Sequence, residues 1–220
     1  MIERYIEAVS SYAGDIDGLI NLVHVIVMTW FFAVQAIFFW LIFKFKAKDG
    51  VKAQYITGEE KYQKKWITIP HYMVLVFDLV ILVAAIRVWV HVKQTLPEAD
   101  AVVEVTGQQW AWSFNHPGAD GEIGTDDDIE TVDELHVEVD KTYHFILRAH
   151  DVLHSFSVPV FRLKQDTIPG REITGWFKAE STGTYDIQCA EMCGVGHGVM
   201  YGRVVIETAE EHAAWIASNQ

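Results

Sequence analysis

Residues 189–200 read Cys-Ala-Glu-Met-Cys-Gly-Val-Gly-His-Gly-Val-Met. This stretch brings two thiols, an imidazole and a thioether close together, and soft sulfur with imidazole nitrogen selects copper or zinc over hard cations. The glycines on either side of His197 let the backbone wind closely around an ion. A fourth strong ligand has to come from elsewhere, and His154, at a predicted strand edge, is the candidate. The stretch therefore predicts a metal site built from one strand edge and one loop.

Two other interpretations of the cysteine pair remain open. Outside the cytoplasm Cys189 and Cys193 could form a disulfide, and with two histidines they could form a tetrahedral structural zinc site. Neither interpretation uses Met200 or explains the glycines around His197, whereas weak thioether ligation is characteristic of copper. The chain has only these two cysteines, so a fold stapled by several disulfides is not expected.

The sequence around this loop alternates apolar and polar residues with a period of two, which predicts β-strands. The clearest stretches are residues 102–106, 135–139, 143–147, 183–187 and 201–206. Turn residues such as Pro117-Gly118 and Pro169-Gly170 separate them. Several short strands in about 110 residues predict a small sandwich or Greek-key barrel. Residues 209–218 predict a short terminal helix.

Two long apolar runs precede the β-rich part, at residues 19–43 and about 70–92. At 1.5 Å per residue the first run reaches roughly 37 Å, enough to cross a hydrocarbon core of ~30 Å. Since lipid admits only helices and closed barrels, both runs predict transmembrane helices. The second opens at Pro70, a residue suited to the first turn of a helix.

The segment between the two runs is rich in lysine, at positions 44, 46, 48, 52, 61, 64 and 65. The positive-inside rule predicts that this segment is cytoplasmic and that both termini lie on the opposite side. The first 18 residues are acidic and lack a basic region, so a cleavable signal peptide is not expected. The predicted domains are an extracytoplasmic segment (1–18), a helix (19–43), a cytoplasmic loop (44–69), a second helix (70–94) and an extracytoplasmic domain (95–220).

The chain has a formal net charge of −13 although half of its residues are hydrophobic. The acidic residues concentrate after the apolar runs, which predicts a tethered domain with a cationic partner. A nucleic acid is not expected as a partner, because the polyanion would be repelled.

Three segments together resemble cytochrome c oxidase subunit II, the copper-bearing subunit of haem–copper oxidases. They are residues 189–200, residues 151–159 with 163–171, and residues 108–114. With the two-helix anchor, the resemblance covers nearly the whole chain. It implies a membrane-anchored α+β protein, in which a transmembrane hairpin precedes an all-β, cupredoxin-like Greek-key domain. It also implies a bacterial inner membrane, spanned by the two helices, with the cupredoxin domain on the periplasmic side.

The resemblance implies the electron-entry subunit of a proton-pumping cytochrome c oxidase, an oxidoreductase and translocase that reduces dioxygen to water. Two copper ions would form a dinuclear CuA centre, bridged by both thiolates, with one histidine capping each ion. The implied ligands are His154, Cys189, the carbonyl of Glu191, Cys193, His197 and Met200. The Glu191 side chain would also help to hold magnesium or manganese at the contact with subunit I. Trp110 would receive electrons, whereas Trp112 would pack inside the barrel.

The partners implied are subunit I with its haem, further oxidase subunits, membrane lipid and a c-type cytochrome. The donor is expected to be a separate protein, because the chain has no Cys-x-x-Cys-His haem motif. Two rival functions are a quinol-oxidase subunit and a membrane-tethered copper carrier. The first generally lacks the copper ligands, and the second does not need Trp110 or residues 163–171.

The chain also contains an acidic stretch between the predicted strands. Residues 118–128 are rich in oxygen ligands and glycine, which suits calcium at Asp120, Asp126 and Asp128, although the EF-hand order is missing. A solvated docking face for a basic cytochrome is the simpler interpretation.

Family members commonly place a glutamate near the start of the second span, for a proton path in subunit I. Gln63 occupies that position here, with Glu59 and Glu60 nearby as alternatives.

Overall fold

The computed structural model describes residues 5–53 and 55–220. The chain forms two compact units. One is helical and consists of Gly18–Trp89, and the other is rich in strands and combines residues 5–17 with Val90–Gln220.

The helical unit is an antiparallel pair of apolar helices. Helix α1 spans Ala13–Lys44 and helix α2 spans Lys61–Trp89, and both are long and apolar enough to cross a membrane. Trp30 of α1 packs edge-on against Phe77 of α2, with ring centroids 5.9 Å apart. Most of the large apolar side chains of both helices are exposed, as expected of helices that are surrounded by lipid.

The predicted start of the second helix at residue 70 is wrong. Pro70 lies inside α2, which begins at Lys61, and α1 likewise begins at Ala13 instead of residue 19. Apolar length marks the part of a helix that can sit in lipid, whereas the helix itself continues through polar residues with good helix propensity, such as lysine and glutamine. A single proline removes one helical hydrogen bond, and here the helix continues through it.

The strand-rich unit contains two five-stranded sheets and a terminal helix. The first sheet has the order β3-β2-β1-β5-β8, with β1 Ala101–Gln108, β2 Ala111–His116, β3 Ile129–Val132, β5 Thr142–Ala149 and β8 Ile173–Lys178. The second has the order β4-β10-β9-β6-β7, with β4 Glu134–Glu138, β6 His154–Val158, β7 Leu163–Thr167, β9 Gly183–Cys189 and β10 Tyr201–Glu207. Helix α3 spans Ala209–Asn219. The pairs β1–β5 and β4–β10 are parallel, and the other pairs are antiparallel.

The core of this unit is a set of aromatic rings between the sheets. Trp112 of β2 meets Phe156 of β6 edge-on at 5.4 Å, which joins the first sheet to the second. Phe145 of β5 lies so close to Gly175 of β8 that any side chain at residue 175 would overlap its ring. Each fully buried ring of this size contributes about 2–3 kcal/mol. Phe145 also packs on Phe156, with ring centroids 6.2 Å apart. Phe156 therefore contacts rings of both β2 and β5, which positions β6, the strand that begins at His154.

Residues 5–17 pack on the strand-rich unit, a contact that the prediction of an extracytoplasmic segment (1–18) did not include. Val9 donates a backbone hydrogen bond to the Val160 carbonyl at 2.9 Å and accepts one from Glu180 at 2.8 Å. Tyr12 is fully buried. The guanidinium of Arg162 donates to both carboxylate oxygens of Asp17 at 2.8 Å. These partners are remote along the chain, so the sequence pattern did not indicate the contact.

Candidate metal centre

The predicted ligands come from two neighbouring strands and the loop between β9 and β10. His154 is the first residue of β6, and Cys189 is the last residue of β9. The register pairs Phe156 with Cys189, which places the start of β6 next to the end of β9. The loop continues through a short 3-10 turn, His197–Val199, to Met200, which immediately precedes β10.

The donor atoms of these residues converge. The two thiol sulfurs lie 3.7 Å apart, and each has its own imidazole, because Cys189 Sγ is 4.0 Å from His154 Nδ1 and Cys193 Sγ is 3.8 Å from His197 Nδ1. The Met200 sulfur lies 3.7 Å from Cys193 Sγ. The Glu191 carbonyl oxygen lies 3.3 Å from Cys189 Sγ. All six predicted ligands are therefore brought together.

This donor set fits a soft metal and not a disulfide. Two thiolates bound tetrahedrally to one ion at about 2.3 Å are separated by ~3.8 Å, close to the observed 3.7 Å. A disulfide needs a separation of about 2.05 Å, and both cysteines are free thiols in the structure. Within residues 5–53 and 55–220, His154, Cys189 and Cys193 form the one group of three histidine, cysteine or acidic ligands whose donor atoms all lie within 4.8 Å of each other.

Asp151 orients the buried imidazole of His154. Its Oδ1 lies 2.9 Å from His154 Nε2, so the other ring nitrogen faces Cys189. Burial of Asp151 raises the pKa of its carboxyl group, but hydrogen bonds from His154 and from the backbone amides of Gln109 and Val152 outweigh this and lower the pKa overall. A carboxylate behind a ligating histidine fixes the tautomer and the direction of the ring. Sequence reasoning assigned Asp151 no role, although it lies only three residues before His154.

The second thiol, that of Cys193, is buried. Burial, followed by the hydrogen bond with Cys189, raises the pKa of the Cys193 thiol to about 11. A thiol with this pKa is neutral near pH 7 unless a cation compensates the charge of the thiolate. Metal binding at this site should therefore release protons.

Trp110 packs directly against the loop between β9 and β10 (residues 190–200, the ligand loop) and reaches the surface. The residue is 39% exposed, and its Nε1 donates to the Cys193 carbonyl at 3.3 Å. A Cβ atom at Gly196 would lie 2.4 Å from the ring, so glycine is needed for this approach. Trp112, two residues later, is fully buried, as predicted.

The other predicted site residues are not brought into a cluster. In the described part of the chain, Asp120, Asp126 and Asp128 form no group of converging ligands. Asp128 instead accepts bonds from Asn115 Nδ2 at 2.6 Å and from the Gly124 amide at 2.8 Å. The Glu191 side chain accepts from the Met192 amide at 3.3 Å. Calcium binding and the magnesium or manganese role of Glu191 stay predictions.

Gln63 lies near the start of α2 and folds back on the preceding loop. Its Oε1 accepts from the Gly58 amide at 2.8 Å, and its Nε2 donates to Tyr62 Oη at 3.0 Å. The role of Gln63, Glu59 or Glu60 in a proton path stays a prediction.

The comparisons with known proteins agree on one family. A family model described as cytochrome c oxidase subunit II, periplasmic domain, matches residues 101–209. The alternative cytochrome c oxidase subunit 2 of Bradyrhizobium diazoefficiens is 34% identical over 225 residues, which cover 92% of this chain and 79% of that protein. The chain belongs to the cytochrome c oxidase subunit II family.

Two further members of the family match about half of this chain. Cytochrome c oxidase subunit 2 of Thermostichus vulcanus is 46% identical over 121 residues, which cover 55% of this chain and 34% of that protein. The crystal structure of the periplasmic domain of subunit II from Bradyrhizobium japonicum is 31% identical, has a TM-score of 0.51 and covers 57% of this chain and 96% of that one. The β-rich unit therefore has a cupredoxin-like fold, and subunit II is membrane-anchored with a periplasmic domain.

Proposed function

We propose that this subunit II holds a dinuclear CuA centre and carries electrons from a c-type cytochrome to the haem of subunit I. The complex would reduce dioxygen to water and pump protons. The observation that carries the proposal is the paired donor set, in which two adjacent thiols each have a separate imidazole. A single tetrahedral ion needs four donors, whereas this site has two further weak donors in Met200 and the Glu191 carbonyl.

The copper pair would supply a one-electron redox couple. The chain's own residues hold its donors still, because His154 and Cys189 end two hydrogen-bonded strands and Asp151 fixes the imidazole ring. Rigid donors limit the rearrangement that accompanies a change of charge. Trp110 connects the surface to the Cys193 carbonyl, which supports its role as the entry point for electrons.

The surface around Trp110 supports docking of a protein donor. Apolar side chains on and beside the ligand loop are strongly exposed, namely Met192, Val195, Val199 and Tyr201. An exposed apolar patch of this kind marks an interaction surface. The negative charge of the chain would attract a basic cytochrome. The lysine-rich segment between α1 and α2 supports an orientation with that segment in the cytoplasm and the cupredoxin domain and both termini in the periplasm.

Metal content and electron paramagnetic resonance of the full chain in detergent test this function. We expect two coppers per chain and a seven-line hyperfine pattern, because the unpaired electron is shared by two copper nuclei. Met200→Leu should change that pattern, whereas Met192→Leu should not, since Met192 is exposed and outside the donor set. One copper with a four-line pattern would refute the dinuclear centre, and one zinc without a copper signal would favour a structural zinc site.

A further inference from the structure

Gln109 lies in the turn between β1 and β2 and contacts both parts of the metal site. Its side-chain Nε2 donates to the Cys193 carbonyl at 2.7 Å. Its backbone amide donates to Asp151 Oδ2 at 2.8 Å, and the other oxygen of Asp151 holds His154. One residue therefore connects the turn before Trp110 to the strand edge with one histidine and to the loop with the second thiol.

The ligand loop is shaped around this contact. Gly194 has a φ of +122°, a conformation that side chains rarely adopt. A Cβ atom there would lie 2.8 Å from Gln109 Nε2 and 3.3 Å from the Trp110 ring. The Cys193 carbonyl accepts from Gln109 and Trp110 together. Both segments therefore contribute to this contact: the β1–β2 turn supplies the two donors, and the ligand loop leaves room for them at Gly194.

The proposed function requires metal donors that are held rigidly. Gln109 is not a ligand, but its hydrogen bond to the Cys193 carbonyl restrains the ligand loop. We propose that Gln109 is a positioning residue, which holds the Cys193 turn against Trp110 and so sets both the electronic environment of the site and the rate of electron entry. The inference rests on the proposed function. The amide directs the positive end of its dipole at the carbonyl of a ligand residue. This favours the more negative, reduced state of the site, so loss of the amide should lower the reduction potential.

The role of the Gln109 side chain is not core packing, because residue 109 is exposed and adds little to the core. Its backbone bond to Asp151 does not depend on the side chain, so substitutions leave that bond in place. Gln108 is a matched control, since it is adjacent in the chain and has the same side chain. No hydrogen bond joins the Gln108 side chain to the ligand loop in the described part of the chain. Variants at these two positions separate the effect of the Cys193 contact from a general effect on the turn.

The experiment compares Gln109→Leu, Gln109→Glu and Gln108→Leu with wild type in the assembled oxidase. We expect both Gln109 variants to keep two coppers, to show a lower reduction potential and a changed hyperfine pattern, and to accept electrons roughly 3–10-fold more slowly. Gln109→Glu should have the lower potential of the two, because its carboxylate adds negative charge beside the site. Gln108→Leu should match wild type in all four measurements.

The result that overturns the inference is a Gln109→Leu variant with the potential, hyperfine pattern and entry rate of wild type. If Gln109→Leu does not fold, the nearly isosteric Gln109→Glu decides by the same criteria. A wild-type protein without a dinuclear copper spectrum would instead refute the proposed function. The two failures are distinguishable, because one is read from wild type alone and the other from the difference between wild type and variant.

Discussion

At the scale of single residues, Trp110 and Trp112 show how position decides the role of a side chain. They are two residues apart, yet Trp110 lies in the turn on the ligand loop and Trp112 lies in β2 against Phe156. The first has an exposed face and a hydrogen bond to the Cys193 carbonyl, whereas the second is part of the core. The same substitution should therefore affect function at one position and stability at the other.

We predict that Trp110→Ala slows electron entry from the cytochrome by roughly 10–100-fold, because removal of the ring leaves a gap between the surface and the loop. The copper spectrum and the denaturation midpoint should stay near wild type, because Gln109 keeps its bond of 2.7 Å to the Cys193 carbonyl whereas the bond lost from Trp110 is the longer one, at 3.3 Å. Trp112→Ala should instead cost about 3–5 kcal/mol of stability, as expected for loss of a buried aromatic ring. Stopped-flow kinetics and denaturant unfolding check the pair, and wild-type turnover in Trp110→Ala would mean that Trp110 only packs.

At the scale of elements, the acidic loop between β2 and β3 contains carboxylates with different environments. Asp127 and Asp128 accept hydrogen bonds from within the loop, including one from Thr125 Oγ1 to Asp127 at 2.6 Å. The Thr125 hydroxyl is the largest cause that lowers the pKa of Asp127. Asp126 is exposed. The first two carboxylates therefore shape the loop, and Asp126 is the better probe of docking.

We predict that Asp126→Asn raises the apparent KM for the cytochrome about twofold at low salt and weakens its salt dependence, because exposed charges act mainly on encounter. Asp128→Asn should instead destabilise the loop by about 1 kcal/mol, since a charged acceptor is lost. Calcium binding makes a different prediction, in which a chelator lowers the melting temperature of wild type and has no effect on Asp126→Asn. Unchanged kinetics, stability and chelator response would refute both docking and calcium binding.

At the scale of the whole molecule, the strand-rich unit is assembled from two distant parts of the chain. Arg162 has a φ of 56° and donates to Asp17 and to the carbonyls of Ile6 and Glu7. The Arg162 and Asp17 side chains are only 7% and 1% exposed. A domain that starts at residue 101 would lack this partner for Arg162.

We predict that Asp17→Asn destabilises the strand-rich unit by about 3 kcal/mol, because it leaves the guanidinium of Arg162 without a counter-charge in a buried site. Glu172→Gln is the control, since the Arg148–Glu172 pair is largely exposed and should contribute under about 1 kcal/mol. Denaturant unfolding of the full chain in detergent measures both. Equal stability of the two variants would show that the N-terminal contact is dispensable.

The sequence by itself determined the class of fold and predicted the chemistry of the site. Two apolar runs were long enough for membrane helices, period-two stretches indicated the centres of β1, β4, β5, β9 and β10, and residues 209–218 indicated α3. The ligand types at residues 189–200 predicted a site for a soft metal ion. These features are local, because each is encoded by neighbouring residues and their periodicity.

Only the tertiary structure decided how these parts meet. It placed β3, β7 and β8 at sheet edges, where short or mixed patterns gave no clear period. It carried α2 through Pro70 and joined residues 5–17 to the strand-rich unit. It also assembled the Asp151, Gln109 and Cys193 contacts, whose partners lie 42 and 84 residues apart. Hydrogen bonds over such separations depend on sheet register and packing, which no local pattern specifies.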